Sequence, residues 1–139
     1  MAVILVSNCL LGCVCRYKGD HQRCDEILAL AKDHTLVGVC PEQMGGLPTP
    51  RDPAEIVDGK LISSAGADVT KEYMQGVENA MILAKLNKPD FAILKYRSPA
   101  CGKGVIYDGT FKGNLIPGNG VFTQALIDAG EYPENLWAD

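Results

Sequence analysis

Met1–Cys15 reads MAVILVSNCLLGCVC, and its first half decides the fold. Ala2–Val6 (AVILV) is a continuous apolar run rich in β-branched residues. A strand with one wet face would alternate apolar and polar residues, so this run predicts a strand buried on both faces, as in a parallel sheet. Ser7-Asn8 ends it and hands Cys9 to a loop. Two later stretches repeat the arrangement. Thr35–Val39 (TLVGV) runs directly into Cys40, and Phe91–Leu94 (FAIL) leads to a loop that carries Cys101.

Helical and turn signals separate these strands. Asp20 is the expected N-cap of a first helix in which Cys24, Ile27, Leu28 and Ala31 recur at helical spacing. A longer helix is expected from Asp68 to Leu86, with Tyr73, Val77, Ala80, Met81 and Ala84 on one face, and a last one over Val121–Ala129. Ile56-Val57 and Leu61-Ile62 flank Asp58-Gly59, a two-residue hairpin signal. Val105–Tyr107 and Asn114–Ile116 predict a second hairpin. Gly45-Gly46, Pro48, Pro50 and Pro53 predict irregular backbone, as does Arg97–Gly104. Strands alternating with helices predict an open α/β class with a small, mostly parallel sheet, two short β-hairpins and one domain over residues 1–139.

Composition narrows the function. A net charge of −4 argues against a broad nucleic-acid surface, which needs clustered Lys and Arg. The uncharged run Met1–Leu11 lacks the basic start of a signal peptide, and no stretch approaches the roughly 18 apolar residues of a membrane span. A cytoplasmic protein with six reduced cysteines is the expectation.

Open α/β sheets bind ligands beyond the carboxyl ends of their strands, and Cys9, Cys40 and Cys101 all follow strand ends. Cys24 falls on the apolar helix face and is expected in the core, while Cys13 and Cys15 share the first loop. Glu42 stands two residues after Cys40 and Ser98 three before Cys101, close enough to move a proton or orient a water. Arg16, Arg51, Lys95, Arg97 and Lys103 would give this edge a positive potential. The plainer reading makes each cysteine a small buried hydrophobe, Glu42 a helix-start residue and Ser98-Pro99 a turn. Three cysteines at equivalent strand ends favour a metal or thiol site.

Structural zinc sites usually use pairs such as C-x₂-C, whereas CLLGCVC contains only C-x₃-C and C-x-C. Three separated thiols suit a [4Fe–4S] cluster with one iron open. Two other readings stay open: a metal-binding protein without turnover, and a cluster-free enzyme using Cys101 as nucleophile beside Ser98.

Four segments, SNCLLGCVCRYKG (Ser7–Gly19), VCPEQMGGLPTPR (Val39–Arg51), SPACGKGVIYDGTF (Ser98–Phe111) and PGNGVFTQAL (Pro117–Leu126), resemble the thiouracil desulfidase family. The similarity extends from Met1 to about Gly130. It implies a Rossmann-like, three-layer fold and a [4Fe–4S] cofactor held by Cys9, Cys40 and Cys101. The fourth iron would accept the sulfur of a small-molecule thiolated base such as thiouracil. The implied reaction is a non-redox C–S hydrolysis, with Glu42 and Ser98 at the acid/base and substrate-positioning places. Lys18 stands where the family commonly has an acidic residue, and Cys13 and Cys15 where other members often have no cysteine.

Overall fold

The computed structural model describes residues 1–130 and, as backbone, 135–138. Four strands form one parallel sheet in the order β2-β1-β5-β8, with β1 Val3–Ser7, β2 Thr35–Val39, β5 Phe91–Lys95 and β8 Asn135–Ala138. Strand β1 sits inside the sheet, and its Ile4, Leu5 and Val6 are fully buried. Its unbroken apolar run has the cause expected of it: both faces are covered. Alternate residues serve the two faces. Leu5, Ala92 and Leu94 join Tyr73, Val77, Ala80, Phe122 and Leu126 from helices α3 (Thr70–Asn87) and α4 (Val121–Asp128). On the other face Ile4, Val6 and Ile93 pack with Leu10 and Ile27, the latter from helix α1 (Asp25–Ala29). This is a three-layer α/β arrangement. Each fully buried Leu, Ile or Phe contributes roughly 1.5–3 kcal/mol relative to exposure.

The register matters for function. Ser7 pairs with Val39 across β1 and β2, so the loops carrying Cys9 and Cys40 leave the sheet side by side. Strand β5 flanks β1 on its other side, with Val6 opposite Ile93. The strand order reverses at β1, the topological switch point where open α/β sheets leave a crevice.

Both expected hairpins are present: β3 (Ala54–Val57) with β4 (Lys60–Ser63), and β6 (Val105–Tyr107) with β7 (Leu115–Pro117). Asp58 and Gly59 both have positive φ (49° and 78°), the type I′ geometry that a two-residue hairpin turn prefers.

One expectation needs correction. The first helix is shorter than its periodicity suggests and starts at Asp25, with Cys24 rather than Asp20 at its N-cap. The N–H groups of Gln22 and Cys24 donate to the carbonyls of Cys9 and Leu10, which ties the preceding segment to the first loop instead of to a helix. Asp20 pairs with Arg16. Ahead of the expected irregular stretch at residues 45–53, Cys40 leads into a single-turn helix, α2 (Pro41–Met44), with proline at its first position, where a missing N–H costs nothing. Strand β8 had no counterpart in the sequence reading.

Helix α2 is locked against α3 by glycines. A Cβ on Gly45 would run into the backbone of Glu72, and one on Gly76 into the carbonyl of Pro41. This close approach holds the start of α2, with Cys40 and Glu42, against the longest helix of the protein.

Candidate metal centre and active-site cleft

A cleft of about 640 Å³ opens at the carboxyl ends of β1, β2 and β5. That volume suits a small-molecule site. Cys9, Cys40, Cys101, Glu42 and Ser98 all line it, as does Cys15. All six cysteines are free thiols. Cys13 is exposed, and half-buried Cys24 packs against the second core cluster; neither lines the cleft.

The first loop leaves β1 as a 3₁₀ turn, Asn8–Leu11, closed by Gly12 at φ 101°. It folds over the end of β2 because Gly38 has no side chain: a Cβ there would strike the Asn8 side chain. Buried Cys9 results. Cys40 is the N-cap of α2.

The third loop is held by Ser98 and by α4. The Ser98 Oγ accepts the N–H groups of Ala100 and Cys101 at 3.1 and 3.0 Å, a local serine turn. Thr123 Oγ1 donates to the Cys101 carbonyl at 2.8 Å. At Gly120, a Cβ would lie 2.5 Å from the Ala100 carbonyl and 2.8 Å from the Cys101 nitrogen, so only glycine fits. Ser98 therefore shapes the Cys101 loop through its oxygen, and among the described residues its hydroxyl hydrogen has no acceptor.

Cys15 is buried among the expected ligands. Its thiol is within hydrogen-bonding reach of both Cys40 and Cys9, which raises its own pKa so that it keeps its proton. The same hydrogen bond pulls Cys9 below the ordinary thiol value against the opposing effect of burial. Cys40 is lowered to about 7, first by Cys15 and against burial, with help from the Gln43 N–H and the Arg51 charge. Cys101 behaves oppositely: burial pushes its thiol up despite a hydrogen bond with Ser7. A buried, protonated thiol is a poor nucleophile, so Cys101 lacks the activation that a cluster-free thiol enzyme would require.

Glu42 lies in the first turn of α2, and its Oε2 accepts hydrogen bonds from Arg51 Nε at 3.0 Å and Nη2 at 2.7 Å. Arg51 Nη2 also donates to the Cys15 carbonyl at 2.9 Å, tying the carboxylate to the thiol loop. The Tyr73 hydroxyl hydrogen-bonds Glu42, and burial first, then the Glu42 charge, raises the phenol's pKa and keeps it a donor. Of the five expected cations, Arg16, Arg51, Lys95 and Arg97 line the cleft and Lys103 does not. Arg16 and Arg51 are paired with carboxylates, and Arg97 lies 4.7 Å from the centre of the Tyr96 ring.

The cleft thus brings together the cysteines, Glu42 and Ser98 expected from the sequence, and adds Tyr73 and Ser7, which were not expected there, beside Cys15 of the first loop. Tyr73 had one available signal: a buried phenol needs a hydrogen-bond partner.

Among the described residues, no three His, Cys, Asp or Glu side chains converge as the ligands of a single ion would. The fit to an iron–sulfur cluster rests on the donor chemistry. Cys9, Cys40 and Cys101 offer three soft sulfur donors from three separate loops on one cleft, and two of them are already inclined to the thiolate form.

Comparison with known proteins agrees with this geometry. Residues 4–133 match the family described as 2-thiouracil desulfurase. The chain is 43% identical over 138 residues to the uncharacterized protein YbbK of Bacillus subtilis (strain 168), covering 92% of this chain and 91% of that protein. Its fold is similar to the solved structure of the [4Fe-4S]-dependent thiouracil desulfidase TudS, with a TM-score of 0.91 and 38% identity, covering 100% of this chain and 92% of the other.

Proposed function

The chain belongs to the 2-thiouracil desulfurase family, and on that premise we propose that it hydrolyses the C–S bond of thiolated pyrimidine bases, with Cys9, Cys40 and Cys101 holding a [4Fe–4S] cluster. The observation that carries this reading is the cleft itself, where those three thiols share one wall system with the Arg51-paired Glu42 and with Ser98. The whole-length likeness to an iron–sulfur desulfidase supports the cofactor.

A cluster held by Cys9, Cys40 and Cys101 would supply a thiophilic Lewis acid for the substrate's sulfur. The remaining work falls to the protein. Water adds to the thiocarbonyl carbon, a C–O bond forms, the C–S bond breaks and hydrosulfide leaves; no atom needs an external oxidant or reductant. Glu42 takes the proton from the water and returns it to the ring nitrogen or the departing sulfur. Arg51 and Tyr73 fix the carboxylate for that transfer through the hydrogen bonds described. Ser98 donates its hydroxyl hydrogen to the base and orients it, since its oxygen already accepts two backbone N–H groups. Hydrogen bonding of Cys9 and Cys40 by Cys15 supports ligation, because metal binding requires the thiolate form.

The ligand assignment is tested by anaerobic reconstitution of single alanine variants. Cys9, Cys40 and Cys101 variants should each lose iron, acid-labile sulfide and the brown colour, while the Cys13 and Cys24 variants keep them. Full iron content in the Cys40 variant would refute the assignment.

A further inference from the structure

The cleft has an aromatic residue that the proposed chemistry does not use. Phe111 lines the same cleft as the thiols, belongs to neither core cluster and leaves 37% of its surface exposed. Its backbone is left-handed, at φ 59°. That conformation crowds a side chain's Cβ and persists only where the surroundings impose it.

Here the surroundings do impose it. Glu55 on β3 directs Oε1 across to the turn of the second hairpin, where it accepts the N–H of Gly109 at 2.9 Å and of Phe111 at 3.2 Å. Asp108 caps the same turn, accepting from the Thr110 N–H at 2.9 Å and its hydroxyl at 2.6 Å. Gly109 lies so close to β3 that a Cβ would be 2.7 Å from the Ile56 carbonyl. The two hairpins are clipped together at this point. A strained turn, fastened by three separate contacts, holds a phenyl ring in the wall of a cleft, outside both core clusters and partly exposed. Folding alone gives no reason for such an arrangement, whereas a planar ring entering the cleft would supply one.

We propose that Phe111 is the face on which the substrate's pyrimidine ring stacks, and that Glu55 is the positioning residue that holds it there. The inference rests on the desulfidase reading for the identity of the ring. Stacking of a base on an aromatic side chain commonly changes binding by about tenfold, and it acts on ground state and transition state alike.

The test uses cluster-loaded enzyme with equal iron content in every variant. Binding of labelled uracil is measured by equilibrium dialysis, and KM and kcat are measured with 2-thiouracil. Phe111→Ala should raise both Kd and KM about tenfold with kcat within about twofold, and Phe111→Trp should restore them. Phe111→Gly removes ring and strain together; it should unfold at a temperature no lower than wild type while binding as weakly as the Ala variant. Glu55→Ala should reproduce Phe111→Ala, and the double variant should be no worse than either. Glu55→Gln, whose amide oxygen can still accept both N–H groups, should stay near wild type. Unchanged Kd and KM in Phe111→Ala, alongside normal wild-type turnover, would overturn this inference and leave the desulfidase reading standing. A Gln variant as impaired as Glu55→Ala would overturn the positioning role. Wild type that binds uracil through Phe111 but releases no sulfide would overturn the desulfidase reading and leave the stacking face in place.

Discussion

Replacing Arg51 by Met keeps most of its apolar stem and removes the guanidinium, and the consequences can be worked out from its contacts. The Arg51 side chain is 7% exposed and that of Glu42 15%, so this pair is largely shielded from solvent screening. Arg51 makes two hydrogen bonds to Glu42 and others to the Cys15 and Pro48 carbonyls and to Thr49. Removing one partner of a buried pair leaves an uncompensated charge, which typically costs about 3–5 kcal/mol. Total stabilities are only about 5–15 kcal/mol, so Arg51→Met should shift the unfolding midpoint strongly. Adding Glu42→Gln removes the orphaned charge. The double variant should therefore be more stable than the sum of the single losses predicts, with a coupling of about 2 kcal/mol. Urea unfolding of reduced, cluster-free protein, followed by circular dichroism, gives these values if the m-values agree. An Arg51→Met loss below about 1 kcal/mol, or additive single losses, would refute the argument that this pair is a buried, mutually dependent unit.

Three further outcomes follow from the same geometry. Glu42→Gln should keep its cluster and bind thiouracil while losing about 10²-fold or more in turnover, and Ser98→Ala should lose less, partly as a higher KM; near-normal turnover in the Gln variant would remove Glu42 from the chemistry. In cluster-free protein, alkylation of Cys40 should accelerate as pH rises and level off above about 7, because the thiolate is the reactive form and its folded-state pKa is depressed. With Cys15→Ala the plateau should move up towards the ordinary thiol range, and peptide mass spectrometry reads both. Gly120→Ala should push the Cys101 loop off α4, costing about 1–3 kcal/mol and lowering iron uptake, as measured by thermal unfolding and iron analysis.

How much of this was legible in the sequence depends on how local each signal is. Strand β1 was readable because burial on both faces leaves an unbroken apolar run, and the β3–β4 hairpin because Asp58-Gly59 meets a specific backbone demand. The start of α1 was not readable, since it is decided by carbonyls of Cys9 and Leu10 more than ten residues away. That Cys9, Cys40 and Cys101 share one cleft was legible through a rule of topology, since all three follow strand ends. Their environment was not. Arg51 is expected from the sequence only as one of five cations along this edge, but its side chain is largely shielded in an ion pair with Glu42. Tyr73 fell on the apolar face of α3, and nothing in that periodicity shows that its hydroxyl ends at Glu42. Cys15, two residues from an exposed cysteine, takes its place beside Cys9 and Cys40 only once the first loop has folded back.

The central claim is a hydrolytic desulfurisation run by this cleft, and product analysis with cluster-loaded, anaerobic enzyme tests it most directly. Incubated with 2-thiouracil in ¹⁸O-labelled water, the enzyme should release hydrosulfide and uracil in equal amounts, with one labelled oxygen in the uracil and no added oxidant or reductant. Sulfide release that requires an added reductant, or uracil formed without the label, would contradict the account.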